Sequence, residues 1–180
     1  MEKKNGNWTI KETEKVFGND YFKVFEDKVI QPDGKHGEYA TIEFISGVSI
    51  LPIDDEDFVY LTKQFRYVAG RETLEVVAGG IEDEQPIEAA KRELKEELGI
   101  TAEEISEIGA IQLDNSIIKA ESNFFIARKL SFGKTDRDEN EEMEVVKVSF
   151  REAVEKVLSG DITHASSCVL LLKAWLKTKE

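Results

Sequence analysis

Glu84-Gln-Pro-Ile-Glu-Ala-Ala-Lys-Arg-Glu-Leu-Lys-Glu-Glu-Leu-Gly99 reads as a single amphipathic helix. At roughly 100° per residue, Ile87, Ala90, Leu94 and Leu98 form one apolar stripe. Glu93, Glu96 and Glu97 fall together beside that stripe, at the i, i+3 and i+4 spacing where like charges repel. Lys91 and Lys95 project to its other side, next to Glu88. Carboxylates gathered at the edge of a core, away from ammonium groups, are the donors a hard divalent cation takes. The triplet alone would equally fit a solvated acidic face, so its context decides.

The ends of the helix are marked. Pro86 fits the first turn, where its missing N–H costs nothing, and Asp83 and Glu84 sit where the helix dipole favours negative charge and an Asp can cap. Gly99 is placed to supply the left-handed residue that ends many helices. Ahead of the helix, Ala78-Gly79-Gly80 follows the apolar run Leu74-Glu-Val-Val77, giving strand, glycine loop and helix. Glycines there let backbone groups approach a ligand closely.

Glu84, then seven residues, then Arg92-Glu-Leu-Lys-Glu-Glu-Leu-Gly-Ile100 resembles the Nudix box, G-x5-E-x7-R-E-U-x-E-E-x-G-U with U aliphatic. The right-hand half matches at every defined position. The position of the first glycine holds Ala78, so the loop before Glu84 is one residue short and Gly79 or Gly80 takes the glycine role. Gln64-Phe-Arg-Tyr67, Glu75, the stretch Trp8 to Gly34, Leu113-Asp-Asn-Ser116, Phe125-Ile-Ala-Arg128 and Ser159-Gly-Asp-Ile-Thr163 extend the likeness to the ADP-ribose pyrophosphatase branch of the Nudix hydrolases. Where many relatives carry an acidic pair in the central loop, this chain has Lys119-Ala120.

The resemblance implies an α/β (α+β) fold, a Nudix-type α/β/α sandwich around a mixed sheet. Residues 1–46 would form an extra N-terminal antiparallel sheet for dimerisation, and 47–180 the Nudix hydrolase domain. It implies Mg²⁺, or Mn²⁺, held by the backbone carbonyl of Ala78 with Glu93, Glu96 and Glu97, the last three on one side of the helix. Arg92 would orient the helix glutamates, Glu96 could hold a second ion, and Glu139 or Glu141 would act as base from the acidic stretch Asp138-Glu-Asn-Glu-Glu142. Spacing does not decide among Glu139, Glu141 and Glu142, and that stretch also fits a plain acidic connector. Arg66 is the candidate for a substrate phosphate or ribose, because a guanidinium binds phosphate oxygens in a bidentate way. Glu75, Gly79 and Gly80 complete the expected substrate contacts. Trp8, Phe22 and Tyr67 could stack on a purine or serve the core, and His164 suits a structural contact better than a base.

Bulk composition bounds the rest. With 180 residues, 41% of them hydrophobic, and no Pro/Gly/Ser-rich linker, one core-forming domain is allowed. The net charge of −13 argues against nucleic acid and anionic membrane as partners. The single Cys168 excludes an internal disulfide, and neither an apolar leader nor a bilayer-length run is present, so a cytoplasmic enzyme is expected. Strands are expected at Tyr21–Ile30 and Glu38–Ile45, then as a hairpin of Gly47–Ile53 with Asp57–Phe65 around Asp54-Asp-Glu56. Further strands follow at Leu74–Val77, Ile105–Leu113, Asn123–Leu130 and Met143–Phe150, with helices at Arg151–Leu158 and Ala165–Lys177. The expected activity is hydrolysis of the pyrophosphate bond of a nucleoside diphosphate sugar, ADP-ribose first among them, by a homodimer. The alternatives are another nucleotide sugar (GDP-mannose or ADP-glucose) and a non-catalytic nucleotide-sugar sensor.

Overall fold

A computed structural model describes residues 2–136 and 142–178. Its contacts divide into two units: the chain up to Ser46 with Gln112–Ala120, and Gly47–Ile111 with the chain from Glu121 on.

In the first unit, β1 (Lys3–Asn5), β2 (Trp8–Gly18), β3 (Phe22–Ile30) and β4 (His36–Phe44) pair antiparallel in sequence order. The turn at Pro32-Asp-Gly34 closes with the Gly34 N–H donating to the Gln31 carbonyl at 2.9 Å, and Gly34 has φ +86°. A backbone in that region favours glycine. Ile118 and Lys119 add to this unit in parallel, opposite Ile42 and Glu43.

The second unit contains β5 (Gly47–Pro52), β6 (Phe58–Arg66), β7 (Arg71–Glu75), β8 (Val77–Gly80) and α1 (Pro86–Leu98). It continues with β9 (Ile100–Asp114), β10 (Ile118–Phe132), β11 (Met143–Ser149), α2 (Phe150–Ser159) and α3 (Ala165–Lys177); residues Gln112–Ala120 of β9 and β10 count with the first unit. β5 lies between β10, parallel to it, and β8, antiparallel to it, which makes the sheet mixed. β6 lies between β11 and β7 in a second, antiparallel sheet.

The alternation of β5 explains the layers. Val48 and Ile50 join Ala89, Ala90, Leu94 and Leu98 of α1 in one apolar cluster. Leu51 and Ile53 join Ala153, Leu170, Leu171 and Ala174 of α2 and α3 in the other. Helices thus cover both faces, and a strand buried on both faces reads as a continuous apolar run. The fold is the expected α+β sandwich.

Two strand expectations are corrected. Gly47–Ile53 and Asp57–Phe65 are not a hairpin: apart from one bridge, Ile53 to Val59, they enter different sheets. Both edges of β5 are occupied by β10 and β8, leaving no ladder for β6. Asp57 itself is in the left-handed region at φ 58°, and Asp54 Oδ1 accepts from the N–H groups of Glu56 and Phe58. Leu74–Val77 is likewise not one strand. β7 ends at Glu75 in one sheet, β8 begins at Val77 in the other, and Val76 is the crossing.

Candidate active site

The helix α1 starts at Pro86, and its N-cap is Gln85 with extended backbone and no side-chain cap bond. The expectation of a cap from Asp83 is therefore corrected. The Glu84 carboxylate is instead taken by Arg92, whose Nε and Nη2 both donate to Glu84 Oε1, at 3.0 and 2.9 Å. Gly99 ends the helix as expected, at φ 65°, its N–H pointing to the carbonyls of Leu94 and Lys95. The buried face is Ala89, Ala90, Leu94 and Leu98, while Ile87 is exposed, since the stripe turns toward β5 through Ala89.

Two of the glutamates beside the stripe, Glu93 and Glu96, meet an arginine. Lys91 pairs with Glu88 at 2.8 Å, away from them, whereas Arg92 Nη1 donates to Glu93 Oε1 at 2.7 Å and to Glu96 Oε2 at 3.0 Å. Its Nη2 also donates to the Gly80 carbonyl at 3.0 Å. One guanidinium thus ties three helix-flank carboxylates to the glycine turn. Burial opposes its charge, but the Glu84 hydrogen bond and the Glu93 charge outweigh this and hold its pKa above the ordinary arginine value. The i, i+3 repulsion of Glu93 and Glu96 expected from spacing alone is offset by this fork.

Glu93 faces β8. A Cβ built on Gly79 would fall inside the Glu93 carboxylate, so only glycine fits there while that carboxylate keeps its place. Of the two glycines the shortened loop offers, Gly79 is the one whose missing side chain makes room for Glu93. A Cβ on Gly47, opposite Gly80 in the β5–β8 ladder, would meet the Gly79 carbonyl at 3.0 Å. Sequence reasoning had not singled out Gly47, because its partner is distant in the chain.

Oε2 of Glu97 is buried, and the charge of Glu97 contributes to raising the Arg66 pKa, behind the larger effect of the Glu75 hydrogen bond. Arg66 is clasped by Glu75: Nε to Oε1 at 3.0 Å and Nη2 to Oε2 at 2.7 Å, with the Arg66 side chain 44% exposed and that of Glu75 4%. Thr73 donates to Glu75 Oε1 at 2.6 Å, and His164 Nδ1 stands 3.5 Å from Oε2. Burial pushes the Glu75 pKa up, but the bonds from Arg66 and Thr73 prevail and hold it below the usual carboxylate range. Burial pulls the His164 pKa down. Glu75 thus presents its carboxylate to Arg66 rather than to open solvent. No local pattern announces Thr73 and His164 as its partners.

Glu139 and Glu141 lie outside the described residues. The segment leading toward them is anchored on α1: Gly133 N–H donates to the Gly99 carbonyl at 2.8 Å and Asp136 N–H to that of Glu96 at 3.3 Å. Of the aromatic candidates, Tyr67 is exposed, Phe22 packs between Phe17 and Phe44, and Trp8 meets Tyr39 edge-on at 5.7 Å. Cys168 is half-buried, with Sγ directed to the Ile162 carbonyl at 3.3 Å.

Among the described residues, no group of three or more His, Cys, Asp and Glu side chains forms a ready-made metal cage. The donors expected there are all oxygens: the carboxylates of Glu93, Glu96 and Glu97, and the carbonyl of Ala78, the residue before Gly79. That set fits a hard cation that keeps several waters and takes one or two carboxylates, rather than one enclosed by protein. Among the described residues no helix is long and apolar enough to cross a membrane.

A glycine turn against a carboxylate helix, mounted on a sandwich of this order, defines a hydrolase of the Nudix class. The chain belongs to that family: the NUDIX domain model matches residues 43–166. It is 29% identical over 167 residues to the ADP-ribose pyrophosphatase of Bacillus subtilis (strain 168), covering 91% of this chain and 90% of that protein. It is 25% identical over 164 residues to the methanol dehydrogenase activator of Bacillus methanolicus, covering 89% and 88%. A solved structure of an ADP compounds hydrolase matches with a TM-score of 0.83 at 25% identity, over 98% of each chain. Nudix hydrolases generally use divalent metal ions.

Proposed function

We propose that this chain hydrolyses the pyrophosphate bond of a nucleoside diphosphate sugar, with ADP-ribose as the preferred substrate and AMP and ribose 5-phosphate as products. The observation that carries the reading is the Glu93 carboxylate seated on Gly79 while Arg92 ties it to Glu84, Glu96 and the glycine turn. Likeness to the Bacillus subtilis enzyme across nine-tenths of both chains supports the substrate class.

Glu93 and Glu97, with the Ala78 carbonyl, would hold Mg²⁺, and Glu96 a second ion. When bound, the metal supplies charge neutralisation at the phosphoryl oxygens and lowers the pKa of a coordinated water. The protein does the positioning. Arg92 keeps Glu93 and Glu96 aimed by bonding both, and its positive charge offsets their mutual repulsion. Arg66, pre-oriented by Glu75, offers its exposed edge to a phosphate or ribose oxygen, and the Gly79-Gly80 backbone lets the substrate approach. Water adds to one phosphorus, the bridging P–O bond breaks toward the other phosphate, and the water proton passes to Glu139 or Glu141. The N-terminal strands pair two copies in a homodimer.

The deciding experiment is a hydrolysis screen over ADP-ribose, ADP-glucose and GDP-mannose with Mg²⁺, with Mn²⁺ and with chelator. The reading expects metal-dependent release of AMP with the highest kcat/KM for ADP-ribose. Nucleotide binding without product release would overturn it in favour of a sensor.

A further inference from the structure

The peptide unit joining Glu75 to Val76 is where the chain leaves one sheet and enters the other. Val76 belongs to neither β7 nor β8, yet it is buried, at 1% exposure. A buried backbone group outside a ladder must find its hydrogen bond elsewhere. Here two side-chain hydroxyls, both fully buried, take the same peptide. Thr62 Oγ1 donates to the Glu75 carbonyl at 3.3 Å, and the Val76 N–H donates to Ser167 Oγ at 3.0 Å. Ser167 Oγ lies 2.9 Å from His164 Nδ1. A serine hydroxyl carries one proton and two lone pairs, so Ser167 can serve the Val76 N–H and the His164 ring nitrogen together.

Hydroxyls at such sites are costly in an apolar core unless bonded, and Leu51, Leu61, Val76 and Leu171 are that core. A valine in place of Thr62 and an alanine in place of Ser167 would be the bland core choices. What the hydroxyls add is a fixed position for one peptide. From Val76 the extended chain runs two residues to Ala78 and three to Gly79, with no loop to absorb an error. Gly79 in turn has no room to move toward Glu93.

We propose that Thr62 and Ser167 are positioning residues for the active site: together they clamp the Glu75–Val76 peptide and so set where Ala78 and Gly79 stand against Glu93. Neither touches substrate, and their catalytic consequence rests on the reading of Glu93 and Gly79 given above.

The test compares Thr62→Val, Ser167→Ala and the conservative Thr62→Ser by hydrogen–deuterium exchange and by steady-state kinetics on ADP-ribose. In Thr62→Val and Ser167→Ala, amides of Val76–Gly80 should exchange about tenfold faster while those of α2 keep the wild-type rate. kcat should fall about tenfold with KM within about twofold, and Thr62→Ser should stay near wild type on both readouts. Unchanged exchange at Val76–Gly80, or acceleration spread equally over α2 and the core strands, would overturn the clamp. If wild type hydrolyses no nucleotide sugar, the proposed function falls, while the exchange rates still decide the clamp.

Discussion

The carboxylate of Glu93 on α1 occupies the space that any side chain at Gly79 on β8 would need. Strand and helix meet here with nothing between them, so the carboxylate stands beside the backbone that carries the Ala78 carbonyl. Gly79→Ala should therefore displace Glu93 while leaving both elements formed. The expected loss is about 100-fold in kcat, as for a misplacement on the order of 1 Å, with about 1–3 kcal/mol of stability from overpacking. Kinetics with a thermal melt on the same preparation checks both.

Glu97→Gln keeps the shape of a partly buried side chain and removes its charge. Turnover should drop by orders of magnitude while the melting temperature holds, and Mg²⁺ affinity measured by calorimetry should weaken. Near-wild-type turnover would remove Glu97 from the metal site.

Arg92→Lys retains a positive charge but loses the fork that reaches Glu84, Glu93, Glu96 and the Gly80 carbonyl together. A point charge on a flexible stem cannot serve four acceptors. Because the Arg92 side chain is 30% exposed, the expected destabilisation is about 1–2 kcal/mol. It should appear as a lower urea midpoint at unchanged slope, with kcat lowered more than KM is raised.

Glu75 carries a pH prediction. Its pKa in the folded chain lies below the ordinary glutamate value of 4.5, despite burial, because Arg66 and Thr73 bond the ionised form. A depressed carboxylate contributes stability that is present above its unfolded value and lost as pH falls through the folded one. Wild type should thus lose stability on acidification below about 4.5 more steeply than Glu75→Gln. Parallel acid limbs for the two proteins, measured by chemical denaturation from pH 7 downward, would contradict this.

Much of the fold was legible in local pattern. α3 runs over the expected Ala165–Lys177, and α1 ends at the glycine assigned to end it. Those features depend on neighbours within a turn, where spacing is enough. The site was legible in part for the same reason: Glu93, Glu96 and Glu97 share a face because of where they stand on one helix. The hairpin at Asp54-Asp-Glu56 failed because turn chemistry does not say which strand lies alongside. β5 was already flanked by β10 and β8.

The primary structure alone was enough to set the family motif, the carboxylate helix and its glycine stop, since helical period and capping act over a few residues. Which glycine admits Glu93, how one arginine joins Glu84 to Glu93 and Glu96, and that two hydroxyls far apart in the chain hold the Glu75–Val76 peptide were decided by tertiary contact. Steric exclusion and buried hydrogen bonding depend on groups that meet only after the strands have crossed between sheets.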